Sequence, residues 1–565
     1  MRLKALLLDG YVDEPACFGV PPYISPYVRY TYGVLVDNNY EIRYETADSW
    51  RNADDKGIAV KESNIIVIIA GMTVPGRYRG GSPLTLTEIK QLANMPRKGV
   101  LFLGGPISHG YSLRGGTKAI ELHLDGVDCF CRGDIEAVLG NFLKTGEIDP
   151  YKKRTYDHDF SLWARLGAEV VKKHPWYPWI IAEMELSRGC DRLKGHCSFC
   201  SEGTIRKYDE RPINCISLEI KALSQCGVKA FRLGRCANIL AYGGAVKDKG
   251  MVPNHIAIEK LYSSIREHAP DLKVLHTDNC NPLSIVNYPD ESARALEKIS
   301  MYNTEGDVLS LGLENLDPKV IKLNNLKVDY EGALFAVKLI NQIGNYTKRP
   351  KGLPTLLPGL NFLYGLPGED RESLNINRKF LEELINSGLS VRRINIRQVI
   401  NLGNTYLSQI IKNHPSKIKN KDFRQWKEWV RKEVDTVFLS RVVPAGTIIK
   451  DVKIEEISGT ICYGRTLGSY PLLVGVIAEG VEVGEVLPEV LITGHGRRSV
   501  TGIPCPLKIN TCTLATYEAL PGIGKSRAKR LVLKRPFGNF EEIRSALDDP
   551  SLLEPYKDSI DFSTF

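Results

Sequence analysis

The chain has 565 residues, which is too long for a single hydrophobic core, and at about 150 residues per domain it predicts three or four domains. With 43% hydrophobic and 25% charged residues it has the composition of an ordinary globular protein, and no apolar run is long enough to span a membrane. The formal net charge of +9 permits an anionic partner without requiring one.

The thirteen cysteines are odd in number and scattered along the chain. In a long chain without a secretory signal they argue for reduced thiols and against a disulfide framework. The opening segment 1–9 is too short for a signal peptide and is predicted to be a β-strand. We therefore expect a cytoplasmic protein with no membrane partner.

Residues 1–150 are predicted to form an open α/β sheet with ligand space at its carboxyl edge. Two of the strands are continuous apolar runs, as parallel strands buried on both faces require. The predicted strands are Ala5–Leu8, Ile65–Ala70 and Val100–Leu103, and the predicted helices are 85–95 and 134–143. The glycine-rich segment 104–116 follows the third strand, and residues 151–180 are expected to be a linker.

Three cysteines lie close together after this linker: Cys190, Cys197 and Cys200. Three thiolates at such short spacing can hold three irons of a [4Fe–4S] cube, and the fourth iron then remains open to a small chelating ligand. The alternatives are a zinc site or unligated thiols. Zinc needs four protein ligands, and His196 adjoins Cys197 too closely to share one ion with it in good geometry.

Strand and helix patterns alternate over residues 181–403, which predicts parallel βα units closing a full or partial (β/α)6 barrel. The first strand ends at the cysteine loop, so the cluster is expected at the mouth of the barrel. The predicted strands are Trp179–Leu186, Ala230–Leu233, Lys273–His276, Val308–Leu313, Leu360–Tyr364 and Arg393–Val399.

The cysteine loop and the motifs behind it resemble the radical S-adenosylmethionine (radical SAM) enzymes. The resemblance rests on Ser-Arg-Gly before Cys190, the Gly-x-Glu ending at Glu314 and Gly-Leu-Pro-Gly at 365–368. One departure is the spacing, since six residues separate Cys190 from Cys197 where the family has three. The resemblance implies a [4Fe–4S] cluster that cleaves S-adenosylmethionine and generates a 5′-deoxyadenosyl radical.

The same resemblance assigns side chains and backbone at the strand ends to the cofactor. Residues after the second strand would hold its methionine amine, Glu314 its ribose or methionine part, and the Gly-Leu-Pro-Gly segment its adenine. The expected S-adenosylmethionine contacts are Gly234, Arg235, Asp278, Glu314, Gly365, Leu366, Pro367 and Arg397. Cys236 and Cys280 could be extra ligands, but packed thiols are the favoured interpretation. No catalytic residue is assigned.

The N-terminal region resembles the cobalamin-binding domain that precedes many radical SAM cores. The cobalt-binding Asp-x-His-x-x-Gly is absent, because residues 9–14 contain no histidine. We therefore expect a degenerate domain that helps to close the substrate site, with bound cobalamin as the less favoured alternative. Cys17, Cys129 and Cys131 are the only candidates here for a second cluster, and their spacing matches that pattern poorly.

A helical connector at 404–441, anchored by Trp426 and Trp429, leads to a segment rich in Val, Ile and Gly at 442–510. Its short alternating runs predict a small antiparallel β-barrel. This segment resembles the RNA-binding TRAM domain, with a purely architectural barrel as the alternative. We expect the C-terminal modules, together with the N-terminal sheet, to shield the radical from solvent.

Residues 511–565 resemble a helix-hairpin-helix module. Gly522 and Gly524 allow the tight turn, and Ile523 is expected to point into the core with Leu520, Ala528 and Leu531. The helix that follows would present its backbone N–H groups to a phosphate, without reading sequence. The predicted nucleic-acid contacts are Gly522, Gly524, Lys525, Ser526, Arg527 and Lys529. A protein-contact role is the alternative.

Together these features predict an α/β multidomain enzyme that uses radical chemistry to modify a nucleotide in tRNA or rRNA, by methyl, methylthio or related transfer. The expected partners are RNA and a one-electron donor such as ferredoxin or flavodoxin. One alternative is a radical SAM enzyme acting on DNA, protein or a small molecule. The other is a non-catalytic iron–sulfur protein that binds nucleic acid or senses redox state.

Overall fold

The computed structural model describes residues 2–14, 17–72, 80–112, 118–120, 122–192, 195–205, 207–403 and 405–564. The end of the glycine-rich segment 104–116 and two positions between Cys190 and Cys197 lie outside the described residues. Among the helices of the described ranges, none has both the length and the apolar character that a membrane crossing needs.

The N-terminal domain is built on a five-stranded, wholly parallel sheet, as the apolar runs predict. In spatial order its strands are Glu41–Thr46, Lys4–Asp9, Ile65–Ile69, Val100–Gly104 and Cys129–Phe130. Its helices are Pro26–Asp37, Ala47–Asn52, Lys56–Glu62, Leu86–Ala93 and Ile135–Thr145, with a 3₁₀ turn at Pro106–His109. A short hairpin pairs Asp13–Glu14 with Cys17–Phe18, and His158–Leu166 and the 3₁₀ segment Gly167–Lys173 lead to the core.

The core is a partial barrel of parallel strands, and all six predicted strands are present. It consists of two four-stranded halves, which meet where the third strand is interrupted after His276. The first half contains Tyr23–Ile24, Ile181–Glu185, Ala230–Arg235 and Val274–His276. The second half contains Asn279–Cys280, Asp307–Glu314, Leu356–Tyr364 and Arg393–Gln398.

Helices cover the outside of the core sheet, as βα units require. They are Glu202–Ile205, Ile213–Gln225, His255–His268, Pro282–Asn287, Pro289–Tyr302, Pro318–Asn324, Tyr330–Gly344 and Arg371–Asn386, with a 3₁₀ turn at Ile239–Ala241. Two small ribbons pair Ser187–Arg188 with Asp209–Glu210 and Ala245–Lys247 with Gly250–Val252.

The N-terminal domain and the core share one apolar interior. Side chains of the helix Pro26–Asp37 pack between the first sheet and the core strand Ile181–Glu185. The segment Tyr23–Ile24 leaves the N-terminal domain and pairs with Ile181 and Ala182 as an extra edge strand of the core. On the opposite side, the backbone N–H of Ala119 donates to the carbonyl of Asn401 at 2.9 Å, so the domain also contacts the loop after the last core strand.

The connector contains the helices Leu407–Ile410, Asn420–Trp429 and Asp435–Val442, with a π-helical turn at Val430–Val434. Trp426 is buried there and Trp429 is partly buried, as predicted. The predicted small barrel is a closed five-stranded barrel. Around the barrel its strands are Ile448–Ser458, Ile461–Thr466, Leu473–Ile477, Ser499–Pro504 and Val486–His495. One neighbouring pair, Leu473–Ile477 with Ser499–Pro504, is parallel, because the chain passes through Val486–His495 between them.

The small barrel plugs the amino end of the core barrel. The hydroxyl of Tyr470 donates to Asp278 Oδ1 at 2.7 Å, and the backbone N–H of Ser469 donates to His276 Nδ1 at 3.0 Å. Tyr23, in the edge strand, donates its hydroxyl to the carbonyl of Gly468 at 2.8 Å. This loop, residues 467–471, closes the end opposite the cysteine loop, so the expectation that this module shields the mouth is wrong.

The last module packs as the hairpin pattern predicts. Ile523 is buried with Leu520, Ala528 and Leu531, and the following segment packs onto the same cluster. Its helices are Leu514–Glu518, Lys525–Leu533 and Phe540–Ala546, with a 3₁₀ segment at Pro550–Ser559. The strand Ile560–Asp561 returns to pair with Leu507–Lys508 beside the small barrel.

A buried acid in the N-terminal sheet predicts a pH dependence of stability. Asp9 accepts hydrogen bonds from the backbone N–H of Tyr11 and the hydroxyl of Tyr44, each at 3.0 Å, but its burial raises its pKa to about 7. The unfolded chain has the ordinary, lower pKa, so the folded state holds this proton more tightly. The stability that protonated Asp9 contributes is therefore lost as the pH rises from about 4 to 7.

Replacing Asp9 with Asn removes this titration and keeps a hydrogen-bonding side chain. We expect the Asp9→Asn variant to become more stable relative to the natural protein as the pH rises from 5 to 8. The difference in the free energy of unfolding should change by roughly 3 kcal/mol over this range. Thermal unfolding at both pH values measures the difference. A difference that does not change with pH would contradict the assignment.

Candidate functional site

The three cysteines lie in the loop that follows the first core strand, at the carboxyl end of the barrel. Burial raises the pKa of Cys190 to about 12 and that of Cys200 to about 11. The charge of Cys200 acts on Cys190, that of Cys197 acts on Cys200, and the ammonium of Lys327 interacts with all three thiols. The structure thus brings the predicted triad together around one partly buried lysine.

A cube and a single tetrahedral ion place different demands on the three thiols. Among the described residues, no three His, Cys, Asp or Glu side chains converge on a point where one metal ion could be held. A cube presents its irons at different corners, so its three thiolates need not converge. The ring of His196 packs against Gly203, and it belongs to no group of three possible metal ligands among the described residues.

The cysteine loop is fixed by the end of the helix Pro318–Asn324. Ser198 donates its backbone N–H to the carbonyl of Asn324 at 3.0 Å and its hydroxyl to Asn324 Oδ1 at 2.7 Å. Arg192 donates from Nη1 to the carbonyl of Asn325 at 2.7 Å and to the sulfur of Cys197 at 3.3 Å. Asn325 has a left-handed backbone, with φ of 50°, which Asn tolerates better than most residues. These contacts hold the inserted loop although it is longer than the family spacing.

A buried ion network lies beneath the cysteine loop. Glu185, the last residue of the first core strand, pairs with Arg154 and with Arg188. Arg154 also binds Glu136, and Arg188 binds Asp134, at the start of a helix in the N-terminal domain. Burial would raise the pKa of Glu185, but the surrounding arginines outweigh it and lower the pKa to about 2. The network therefore links the cluster loop to the N-terminal domain through charge.

Glu314 and Lys327 form the centre of the barrel mouth. Lys327 Nζ lies 4.0 Å from Glu314 Oε1, and Arg397 also acts on this carboxylate. Burial raises the pKa of Glu314, and the two cations oppose that rise. Glu314 has a φ of 63°, a strained conformation for a residue other than glycine, and such strain tends to occur at functional sites. Gly312 leaves the space that Lys327 Nζ occupies, since a Cβ there would clash with it.

Lys327 is the residue of this site that the sequence reasoning missed. It lies in the loop after the helix Pro318–Asn324, outside every recognisable motif. The sequence gives only an indirect signal for Lys327: Gly312 of the Gly-x-Glu motif has no side chain, which leaves room for the lysine.

The Gly-Leu-Pro-Gly segment is held at the same edge by Glu369. Its carboxylate accepts hydrogen bonds from the backbone N–H of Gly365 at 2.7 Å and from Asn315 Nδ2 at 2.9 Å. Leu366 is buried in the same small cluster that Phe199 of the cysteine loop packs against. The carbonyl of Pro367 accepts from Asn324 Nδ2 at 2.9 Å. The segment and the cysteine loop are therefore direct neighbours, joined through one asparagine.

Two of the three remaining predicted cofactor residues lie deeper in the barrel than the cysteine loop. Gly234 makes room for the buried pair of Arg232 and Glu183, because a Cβ there would clash with both side chains. Asp278 pairs with Arg232 and accepts from Ser310 Oγ at 2.6 Å, towards the amino end of the barrel. Arg235 lies 3.7 Å from Glu202 and 3.9 Å from Glu185, next to the cluster loop.

The other candidate cysteines are buried thiols. Burial raises the pKa of Cys236 to about 12 and raises that of Cys280 further. In the N-terminal domain, the sulfurs of Cys129 and Cys131 lie 3.8 Å apart and Cys17 is also buried. These three form no metal-binding group among the described residues.

The hairpin presents most of its predicted contacts to solvent. Gly522, Gly524, Lys525, Ser526 and Lys529 are exposed. Gly522 has a φ of 77°, so the tight turn requires a glycine there, whereas a Cβ at Gly524 would meet no atom within 4 Å. The open space before the helix Lys525–Leu533 leaves its N-terminal N–H groups accessible to an anion.

Arg527 differs from its hairpin neighbours, because it is already paired. It binds Asp548 through two hydrogen bonds of 2.8 and 2.5 Å and donates to the carbonyl of Gly522 at 2.8 Å. It therefore braces the turn, while the lysines remain available.

The ion network beneath the loop generates a prediction for Glu185→Gln. The change leaves Arg154 and Arg188 buried without their shared anion, which destabilises the fold by roughly 3–5 kcal/mol. Chemical unfolding measures the loss, and iron content after anaerobic reconstitution should fall with it. The control Glu62→Gln breaks the exposed pair with Lys4 and should cost less than about 1 kcal/mol. Equal effects in the two variants would contradict the role of the network.

Known proteins with similar sequences or structures identify the relatives of this chain. No family model matches the chain. An uncharacterised protein of Methanocaldococcus jannaschii is 42% identical over 514 residues, covering 88% of this chain and 93% of that protein. The ribosomal protein uS12 methylthiotransferase RimO of Actinobacillus pleuropneumoniae is 23% identical over 347 residues, covering 58% of this chain and 69% of its own.

Among solved structures, coproporphyrinogen III oxidase (HemN) of Escherichia coli, described as a radical SAM enzyme, is 15% identical, with a TM-score of 0.32 over 54% of this chain and 70% of that one. A score this low adds no argument about the fold. The chain belongs to one family with the Methanocaldococcus jannaschii protein and, with its cysteine triad at the mouth of a parallel barrel, is a member of the radical SAM superfamily.

Proposed function

We propose that this radical SAM enzyme modifies a nucleotide within structured RNA, either tRNA or rRNA. The observation that carries the proposal is the exposed, basic hairpin with an open helix N-terminus on the same chain as the cysteine triad. Such a module binds a phosphate backbone without reading sequence, as an enzyme with a folded RNA substrate requires.

As a radical SAM enzyme, the protein uses a [4Fe–4S] cluster and S-adenosylmethionine. Together they supply the one-electron cleavage of a carbon–sulfur bond and the abstraction of hydrogen from an unactivated C–H bond. Cys190, Cys197 and Cys200 are the residues that hold the cluster in this proposal. The N-terminal domain, which contacts the loop after the last core strand, helps to exclude water from the mouth.

The charged groups at the mouth suit the zwitterionic end of S-adenosylmethionine. Lys327 and Arg397 can pair with its carboxylate, and Glu314 can accept from its amine or ribose. The backbone of Gly365, Leu366 and Pro367 lies at the edge where we place the adenine. In this proposal Gly234 and Arg235 complete the site from below, and Asp278, which lies towards the amino end and binds Arg232 and Tyr470, supports the site without touching the cofactor.

Two further features of the proposal concern the reaction. A one-electron donor such as ferredoxin or flavodoxin reduces the cluster in the cytoplasm. Methyl, methylthio or related transfer fits the proposal, although the poor spacing of Cys17, Cys129 and Cys131 counts against methylthio transfer through a second cluster. Cobalamin stays a less favoured alternative, because residues 9–14 contain no histidine to bind cobalt.

The second candidate function is radical chemistry on a protein. It is favoured by the likeness to a methylthiotransferase named for a ribosomal protein. A DNA or small-molecule substrate has less support from the residues at hand. Mass spectrometry of tRNA and rRNA nucleosides, and of ribosomal proteins, from cells with and without the gene separates these outcomes. A missing nucleoside modification supports the first proposal, and a change confined to a protein contradicts it.

The cysteine triad is tested by Cys190→Ser, Cys197→Ser and Cys200→Ser. Each should lower iron content and reduce 5′-deoxyadenosine formation, with dithionite as the electron source, to background, because serine is a poor ligand for iron in a cube. The control Cys505→Ser alters a half-buried thiol in the C-terminal half and should behave as the natural protein does. Full iron content and cleavage in any triad variant would contradict the assignment, and a non-catalytic iron–sulfur protein would show no cleavage even unmutated.

The hairpin is tested by the double variant Lys525→Ala/Lys529→Ala. Loss of two phosphate contacts should weaken tRNA binding and reduce the slope of log affinity against log salt by about one to two. Fluorescence anisotropy between about 50 and 200 mM salt measures both quantities. The control Lys260→Ala/Lys338→Ala removes two exposed lysines from other helices and should change neither. An unchanged slope in the hairpin variant would refute phosphate binding by this module.

A further inference from the structure

A cleft lined by arginines lies on the seam between the core barrel and the small β-barrel. Its volume is about 80 Å³, close to that of a small oxyanion. One wall is the start of the last core strand, and the facing wall is the loop between Val486–His495 and Ser499–Pro504. We call it the arginine cleft, and its charged lining residues are Arg392, Arg393, Asp435, Arg497 and Arg498.

The two arginines at the floor of the cleft have no carboxylate partner within 4.0 Å among the described residues. Arg392 donates to the carbonyl of Tyr470 at 2.6 Å. Arg393 donates to Asn395 Oδ1 at 2.7 Å and stacks on the ring of Tyr470, 4.4 Å from its centroid. Both guanidinium groups are thus held in place by neutral groups, and the nearest carboxylate of the cleft, that of Asp435, acts on Arg392 only from beyond 4.0 Å.

Further cations crowd the floor arginines. Burial and the charges of Arg393 and Arg498 together lower the pKa of Arg392 to about 10, against the opposing charge of Asp435. The pKa of Arg498 is lowered by the burial of part of its side chain, about half of which is exposed, and then by the charge of Arg431. Repulsion between these arginines destabilises the fold, and a bound anion would reduce it.

The balance of charge around the cleft is strongly positive. In the part of the chain that the structure describes, two carboxylates contact the cations of the cleft: Asp435, 2.7 Å from Arg431 and 3.6 Å from Arg498, and Glu428, 3.1 Å from Arg497. They face six cations, so positive charge exceeds negative by four. The six are Arg392, Arg393, Lys427, Arg431, Arg497 and Arg498.

The cleft runs from a half-buried floor to an exposed rim. Arg392 and Arg393 are half-buried, whereas Arg497 and Arg498 are exposed. Arginine forks match the oxygens of phosphate and can bind them in pairs. Because the rim opens to solvent and continues into exposed Arg424 and Lys427 on the connector helix, the surface suits successive phosphates better than one free ion.

We propose that the arginine cleft is a second RNA-binding site, which takes a backbone phosphate of the polynucleotide at the seam between the core and the small barrel. This inference rests on the proposed function and deepens it. The cleft lies at the amino end of the core strands, since Arg393 begins the last strand and Arg397 is near the mouth. Four residues of strand span about 13 Å, so the substrate must extend around the barrel edge. A mononucleotide cannot do so, and a folded RNA can.

The test uses the full chain and a labelled tRNA fraction. The double variant Arg497→Gln/Arg498→Gln changes the exposed rim and leaves the packed floor intact. We expect its affinity for tRNA at about 100 mM salt to fall roughly tenfold and its salt slope to fall by about one to two. The variant Arg497→Lys/Arg498→Lys keeps the charge and should recover part of the affinity. Thermal unfolding checks that each variant is folded.

The control Arg165→Gln/Arg294→Gln removes two exposed arginines from other helices and should bind as the natural protein does. If the natural protein binds tRNA and the rim variant binds it with the same affinity, the cleft assignment is wrong and the proposed function is unaffected. Natural protein that binds no RNA overturns the proposed function and this inference with it. If millimolar inorganic phosphate raises the unfolding midpoint of the natural protein but not of the rim variant, and tRNA binding is equal in both, the cleft takes free phosphate and the polynucleotide assignment is wrong.

Discussion

The buried carboxylate of Glu185 is the group on which the active end of this molecule depends. It ends the first core strand and is shared by Arg154 and Arg188, which in turn bind acids of the N-terminal domain. Charges this deeply buried are tolerated only when every partner is present, because each ion has lost its hydration. The cysteine loop, the core strand and the neighbouring domain are therefore held in one relative arrangement.

This constraint explains how a cysteine loop longer than the family spacing can still present three thiols together. Arg188 fixes the start of the loop from below, and Asn324 and Asn325 fix its later part from the side. The longer segment between Cys190 and Cys197 has contacts of its own through Arg192. The position of the thiols is thus set by the flanking contacts, and the number of residues between them matters less.

Much of the fold could be predicted because residues close together in the sequence specify its strands and turns. Continuous apolar runs such as Ile65–Ile69 identify parallel strands buried on both faces, and the hairpin turn is specified by Gly522 and Ile523. The cysteine triad was predictable for the same reason, since its members are close in sequence. The order of the motifs also predicted that Glu314 and the Gly-Leu-Pro-Gly segment would follow neighbouring core strands, whereas the predicted cofactor residue Asp278 lies towards the amino end of the barrel.

Other features depend on partners far apart in sequence, and no local pattern reveals them. Lys327 is an ordinary lysine in a loop until folding brings it against Glu314 and the three thiols. The contact of Tyr470 with Asp278 joins positions separated by 192 residues. The sequence pattern also could not say at which end of the core the small barrel would lie, because either end offers polar strand termini.

The loop 467–471 of the small barrel limits where the chain can be shortened. Tyr470 supplies a hydroxyl to Asp278 and Ser310 inside the core, so a shortened chain that stops before the small barrel would leave these polar groups open to bulk water at the base of the sheet. The catalytic half is therefore no free-standing module, and substitutions in one half are expected to be tolerated only when the other half accommodates them.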